Sequence, residues 1–472
     1  MAEFVDRGTG TIAGVPDDAA ARHDVAVQRL VESYRAIPDD APVRLAKKTS
    51  NLFRARVRTD APGLDVSLLG GVIAVDPAAR TADVQGMCTY ERLVEATLPH
   101  GLAPLVVPQL KTITLGGAVT GLGIESTSFR NGLPHESVLE MDVLTGAGEI
   151  VTAAPEGEHA DLFHGFPNSY GTLGYATRLR IALEPVEPFV EVRHVRFHDL
   201  DALVASLGDV VETGIHDGRP VDYVDGVVFS ATEAYLTLGT KTSEAGPTSD
   251  YTGQQVYYRS IQHDSGEPRV DRLSTHDYLW RWDTDWFWCS RAFGAQNPLL
   301  RRLWPRRYRR SSFYWKLIAL DHRFDVADRI EARKGRPPRE RVVQDVEVPL
   351  ERTAQFLHWF LREIPIEPVW LCPVRSHDRW PLYPLRPGET YVNVGFWSSI
   401  PRDPGGDPGA ANKLVEATVT ELDGHKSLYS DSYYGEDQFW RLYGGQTYTG
   451  LKRRYDPDSR LLDLYSKAVK RK

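Results

Sequence analysis

The chain has 472 residues, 42% hydrophobic and 25% charged, with a net charge of −8. That length exceeds one ordinary core and asks for two or three domains, while the acidic balance argues against general nucleic-acid binding, which needs a basic footprint. Three widely spaced cysteines (Cys88, Cys289, Cys372) offer no disulfide framework or metal site, and no run of about 18 apolar residues offers a membrane span.

Residues 19–36 place Val27, Leu30, Val31 and Tyr34 at helical spacing. "GGVIAVDPAARTADVQG" reads as two short strands around an Asp-Pro turn, and "TYERLVEATLPHG" as a helix capped by Thr89 with Gly101 beyond its end. "SVLEMDVLTGAGEIVTAA" is a strand, a Gly-Ala-Gly turn and a second strand. "DLFHGFPNSYGTLGYATRLRIALEP" carries another glycine turn into a strand. At Pro185 the texture changes: residues 186–345 are rich in Tyr, Trp and Arg, with a polar loop near 240–255. A last block holds the helix "LERTAQFLHWFLREI", the apolar "PVWLCPV" and the closing "DQFWRLYGGQTYTGLKRRYDPDSRLLDLY". The expected division is 1–185, 186–430 and 431–472. The leader "MAEFVDRGTGTIAGVPDD" lacks the basic and apolar regions of a signal peptide, so a cytoplasmic location is expected.

Four glycines, Gly116, Gly117, Gly121 and Gly123, fall within "KTITLGGAVTGLGIESTS". Lys111 and Glu125 interrupt it, which removes a membrane-helix reading. "GLGIES" approaches a dinucleotide fingerprint, with Asp142 placed about as far on as its ribose acid. That fingerprint needs a long crossover helix, and the sequel here is an antiparallel hairpin. Two readings remain open on the residues alone. One is a nest of backbone N–H groups for a flavin pyrophosphate, helped by the hydroxyls of Thr112, Thr114, Ser126 and Thr127. The other is a tightly packed glycine-rich loop.

"TLGGAVTGLGIESTSFRNGLPHESVLEMDVLTGAGEIV" and "DLFHGFPNSYGTLGYATRLRI" resemble the FAD-binding domain of the PCMH-type (vanillyl-alcohol-oxidase) superfamily. "VVQDVEVPLE", "PVWLCPVR", "LYSDSYY", "FWRLYGG" and "LKRRYDP" extend the resemblance, from about residue 42 onward, to the 24-dehydrocholesterol reductase (Diminuto/Dwarf1) family. The resemblance implies an α+β fold: a two-subdomain FAD-binding domain, a substrate cap, and a C-terminal segment returning to the FAD domain. It places Lys47, Lys48, Thr49, Ser50, Asn51 and Leu52 in a first pyrophosphate loop. The second loop follows Thr112 and holds Thr114, Leu115, Gly116, Gly117, Gly121, Gly123, Ile124, Glu125, Ser126 and Thr127. Gly171, Thr172, Gly174 and Ala176 would contact adenosine and flavin, and Lys452 the flavin pyrimidine or a phosphate. The first loop has neither His nor Cys, so noncovalent FAD is expected. His135 reads as an ordinary hydrogen-bonded histidine.

Saturating an isolated C=C bond takes a hydride and a proton on adjacent carbons. Asp345 and Glu347 alternate along "VVQDVEVPL" and share one strand face, which is either catalytic or a solvated acidic edge. Arg375 and Tyr448 are further catalytic candidates. Cys372 reads as core packing. The resemblance implies an FAD-dependent ene-reductase, with NADPH as expected donor. The family's eukaryotic members carry an amino-terminal anchor; this leader is short and polar. That difference moves the expected substrate from a sterol side chain to the methylene branch of a phospholipid-bound acyl chain (10-methylene to 10-methyl stearoyl), supplied by a lipid methyltransferase. A sterol reductase and an oxidase of a small alcohol, sugar or aldonolactone are the alternatives.

Residues 286–316, "WFWCSRAFGAQNPLLRRLWPRRYRRSSFYWK", hold eight basic residues, nine aromatics and no acid. They read as a peripheral docking surface for an anionic membrane, in which Arg301, Arg302, Arg306, Arg307, Arg309 and Arg310 bind headgroups and Trp286 or Trp304 dips in. An inter-domain surface whose arginines meet acids is the competing reading.

Overall fold

A computed structural model describes residues 18–46, 53–54, 63–324, 329, 333, 335–403 and 405–470. The described residues open with α1 (Ala19–Arg35), started by Asp18, whose carboxylate accepts the Ala21 N–H at 3.2 Å. Its buried stripe is His23, Ala26, Leu30 and Tyr34. A first sheet follows, from β1 (Val72–Asp76), β2 (Thr81–Gln85), β3 (Leu102–Pro104), β4 (Val138–Thr145), β5 (Ile150–Ala153) and β6 (Gly174–Pro185). The order is β1-β2-β6-β4-β5, with β3 on the end of β6, and every pairing is antiparallel. A parallel crossover fold is thereby excluded. Asp142, the would-be ribose acid, is held by Arg178 at 2.6 Å on the sheet surface. Between the strands lie α2 (Tyr90–Thr97), capped by Thr89, and α3 (Leu115–Gly121), capped by Thr114; α4 (Ala160–Gly165) precedes β6.

The second sheet takes β7 (Phe189–Phe197), β10 (Tyr223–Ser230), β11 (Glu233–Thr242), β12 (Arg269–Ser274), β13 (Arg339–Pro349), β14 (Val369–Arg375), β15 (Thr390–Pro401) and β16 (His425–Lys426). Its order is β12-β7-β11-β10-β14-β15-β13-β16. A separate short hairpin joins β8 (Ile215–His216) to β9 (Arg219–Pro220). Strand alternation gives this sheet two different faces. Val342, Val346 and Val348, Val369 and Leu371, and Val392, Val394 and Phe396 form one core with α5 (Leu200–Thr213), α8 (Leu350–Glu363) and α9 (Ala410–Glu421). The intervening Asp345, Trp370, Asn393 and Trp397 lie on the other face and line the main cavity.

An aromatic insert fills the space between the sheets, with α6 (Pro298–Leu303) and α7 (Ser311–Phe324) on its outer part. Trp280, Trp282, Trp286, Phe287 and Trp288 are all buried in it. The halves are tied by a buried ion cluster. Arg281, fully buried, reaches Glu125 of the first half at 3.0 Å and Asp225 on β10 at 2.8 Å. The chain ends in α10 (Glu436–Leu442), α11 (Gly445–Tyr455) and α12 (Leu464–Ala468). These return to the first half, where Lys452 Nζ donates to the Thr172 carbonyl at 2.7 Å and Lys467 Nζ to that of Tyr170 at 2.6 Å. Among the described residues, no helix is long and apolar enough to cross a membrane.

Candidate active site

A cavity of about 490 Å³ lies where the two sheets face each other. The first half contributes mostly backbone and small groups: Thr114, Gly116, Gly117, Gly121, Gly123, Ile124, Gly171, Gly174 and Ala176. Added side chains would find little room. A Cβ on Gly116 would stand 2.7 Å from the Gly86 carbonyl oxygen, and one on Gly123 would meet Pro108 and Pro134 at 2.9 and 3.0 Å. These two glycines let chain pack on chain, as the packed-loop reading of the stretch expects. Gly117 is exposed toward the cavity, with its N–H held by Thr114 Oγ1 at 3.2 Å.

The second half contributes side chains. Trp286, Phe287, Trp315, Trp370, Trp397 and Tyr429 form an aromatic wall around Asp345, Asn393 and Ser427. Trp286 and Phe287 are consecutive and left-handed, with φ of 46° and 57°. Such bulky residues cost about 1–3 kcal/mol each in that region. The Phe287 N–H is pinned by the Trp282 carbonyl at 2.9 Å, so the turn aims two rings at the cavity.

Asp345 is half-buried on the wall. Asn393 Nδ2 donates to it at 3.1 Å, and the Tyr429 hydroxyl also donates. Tyr429 in turn accepts from Trp397 Nε1 at 2.8 Å. Burial pushes the Asp345 pKa up to about 6, against the two donors, which pull it down. Space for this carboxylate depends on its cross-strand partner Gly395, where a Cβ would stand 2.4 Å from Asp345 Oδ1.

Several expected site residues lie elsewhere. Glu347 shares the strand but is fully buried and off the cavity, held by the Tyr383 hydroxyl and by Ser427 Oγ at 3.1 Å. Burial, and then the Asp345 charge, raise its pKa well above the usual carboxyl range. Arg375 points away to Thr390, at 2.7 Å, and to Glu212. The Tyr448 hydroxyl accepts the Leu464 N–H at 2.9 Å, which closes a C-terminal turn. Lys452 is consumed by Asp456, at 2.6 Å, and by backbone carbonyls.

Leu115 is core, and Thr112 Oγ1 is buried off the cavity. Glu125 serves the Arg281 cluster; Ser126 Oγ meets Tyr278 at 3.1 Å, and Thr127 and Thr172 donate to nearby carbonyls. His135 packs edge-on against Trp380 with both ring nitrogens unpartnered among the described residues, and burial lowers its pKa to about 4. Lys47, Lys48, Thr49, Ser50, Asn51 and Leu52 lie outside the described residues. Their flanks, Arg44, Leu45, Phe53 and Arg54, line the cavity. Asn393, Ser427 and Tyr429 also line the cavity; "LYSDSYY" contains Tyr429, but nothing in the motif marks its place there.

The cavity fits FAD. One side offers close backbone approach, the other broad aromatic faces. Gln109, which lines it, has a buried Nε2 without a partner among the described residues, and Asn393 Oδ1 is likewise unpartnered. Cys289, also on the wall, has its thiol pushed up to about 12 by burial and stays neutral.

Residues 19–154 match the model of an FAD binding domain. The chain is 26% identical over 420 residues to the Delta(24)-sterol reductase of Homo sapiens, covering 84% of this chain and 76% of that protein. The Delta(24)-sterol reductase of Arabidopsis thaliana is 26% identical over 447 residues, covering 86% and 76%. Cytokinin dehydrogenase 9 of Oryza sativa subsp. japonica is 31% identical over 163 residues, 34% of this chain and 30% of that protein. The chain thus has an α+β fold of the PCMH type with an FAD binding domain, is an FAD-dependent oxidoreductase, and is similar along most of its length to proteins named Delta(24)-sterol reductase.

Proposed function

We propose that this enzyme reduces the methylene branch of a phospholipid-bound acyl chain to a methyl branch, using electrons from NADPH and noncovalent FAD. The observation that carries the reading is Asp345: a carboxyl of raised pKa, on the wall of an aromatic cavity suited to an apolar substrate. When bound, reduced FAD supplies the hydride. Thr114, Gly117, Gly121, Gly171 and Gly174 would hold its phosphate-bearing part, and the aromatic wall its ring system. Asp345 supplies the proton, to the terminal CH2 carbon, because the substituted carbon better bears positive charge. The π bond breaks, the new C–H bond makes the methyl group, the substituted carbon takes the hydride, and the Asp345 carboxylate is reprotonated from solvent. Aromatic faces at Trp370 and Trp397 stabilise charge on the substituted carbon by roughly 0.5–2 kcal/mol. Tyr429 and Asn393 hold the carboxyl in place.

A second reading, reduction of a sterol side-chain alkene, is favoured by the names of the relatives. Incubating the protein with NADPH and each lipid separates the two. The proposal expects a two-hydrogen mass gain on the methylene-acyl phospholipid. Gain on the sterol alone would establish the second reading, and gain on neither, even after chemical reduction of the flavin, would overturn both. Acid precipitation should leave the flavin in the supernatant; flavin in the pellet would contradict noncovalent attachment.

A further inference from the structure

The basic, aromatic segment at 286–316 divides into a buried part and an exposed part. Arg301 is 1% exposed and grips Asp285 at 2.7 Å and the Gly253 carbonyl at 2.8 Å. Arg309 is also buried, donating to the carbonyls of Thr252 and Trp304 at 2.7 and 2.9 Å. Arg310 pairs with Glu91 at 2.8 Å. These three are fasteners, and Trp286 is a cavity ring at 2% exposure; none of the four is the membrane contact that the sequence suggested.

The fasteners hold α6 and its following turn from behind. Outward stand Leu299 (77% exposed), Leu300 (48%) and Leu303 (80%). Leu299 and Leu303 are the two most exposed large hydrophobics among the described residues, and one helical turn puts them on one face. Around them Arg302, Arg306 and Arg307 are exposed. Among the described residues, Arg302 and Arg307 make no ion pair, and Arg306 meets only the exposed Asp250, at 3.3 Å. The same insert supplies Trp286, Phe287, Cys289 and Trp315 to the cavity wall.

We propose that Leu299, Leu300 and Leu303, ringed by Arg302, Arg306 and Arg307, dock the enzyme on an anionic phospholipid bilayer. The leucines enter the acyl boundary, and the guanidinium groups bind headgroup phosphates. Charge selects this occupant. A second copy docking through the same patch would set arginines against arginines about a two-fold axis, whereas anionic headgroups oppose them with the complementary sign. The idea rests on the lipid reading of the cavity, but docking is measured without turnover.

Full-length protein is co-sedimented with phosphatidylcholine vesicles, with and without phosphatidylglycerol. Binding should require phosphatidylglycerol and weaken with salt. The double variant Leu299→Gln/Leu303→Gln should bind roughly tenfold more weakly or worse, and Arg302→Gln/Arg307→Gln roughly tenfold more weakly at low salt. Both should keep wild-type flavin content and turnover of detergent-dispersed substrate. No wild-type binding to anionic vesicles, or equal binding by wild type and both variants, overturns docking. So does a wild-type dimer that the leucine variant splits, with no vesicle binding. Vesicle binding without reduction of any lipid would uphold docking and remove the reductase reading.

Discussion

The two halves that meet at the cavity are built on opposite principles. The first presents backbone, through Gly117, Gly121, Gly171 and Gly174; the second presents rings and a carboxyl, through Trp286, Phe287, Trp370, Trp397 and Asp345. A wall of backbone can lie close against a bound group but can do little acid–base work. A wall of side chains can move a proton and stabilise charge, but its residues come from several separate stretches of chain. On the proposed function, holding and reacting fall to different halves, and activity would depend on their register.

The largest effect is expected where the halves are locked. Arg281→Ala leaves Glu125 and Asp225 buried without their cation, at a cost of about 3–5 kcal/mol. Denaturant unfolding should show that loss, and a change under 1 kcal/mol would mean the cluster does not hold the halves together. Next comes the reacting wall: Asp345→Asn should keep FAD and slow alkene reduction by roughly 100-fold. Near-normal turnover would remove Asp345 from proton delivery.

A pH profile sharpens the same point. If, as proposed, the acid form of Asp345 delivers the proton, kcat/KM should fall as pH rises through about 6, its raised pKa. Its folded pKa lies above that of the unfolded chain, so the folded state binds the extra proton. Stability from this group should therefore decline between the ordinary carboxyl value of 3.8 and about 6. Asp345→Asn should flatten both trends; an unchanged activity profile in the variant would assign the titration elsewhere. The smallest effect is expected on the holding wall. Gly117→Val puts a branched side chain against Thr114 Oγ1, 2.8 Å from the new Cβ, and into the cavity. FAD affinity should drop roughly tenfold, read as flavin absorbance per protein after dialysis.

What was legible in the sequence was local. The Thr89 cap, the helix at 19–35 and the hairpin after the glycine stretch follow from short-range pattern. That the four glycines of the stretch share one site was legible, and all four line the cavity, but not which of their neighbours do. Leu115 faces the core, and Ser126, Thr127 and Thr172 satisfy nearby partners; adjacency in sequence does not tell facing. On the reacting wall, alternation put Asp345 and Glu347 on one face, yet their different depths are set by tertiary packing. Asn393 and Trp397 join Asp345 through the pairing of β13 with β15, which no single strand encodes. Counting charge in 286–316 overstated the exposed arginines, because Arg301 and Arg309 spend their donors on backbone carbonyls and a buried aspartate.

The most direct test is a single turnover. The FAD-loaded protein is reduced in the absence of oxygen and mixed with a methylene-acyl phospholipid while flavin absorbance and product mass are followed. The account predicts flavin reoxidation matched one-to-one by a lipid two hydrogens heavier, with Asp345→Asn slower by roughly 100-fold. Reduced flavin that ignores every lipid alkene yet is reoxidised readily by oxygen, or equal rates in wild type and Asp345→Asn, would contradict it.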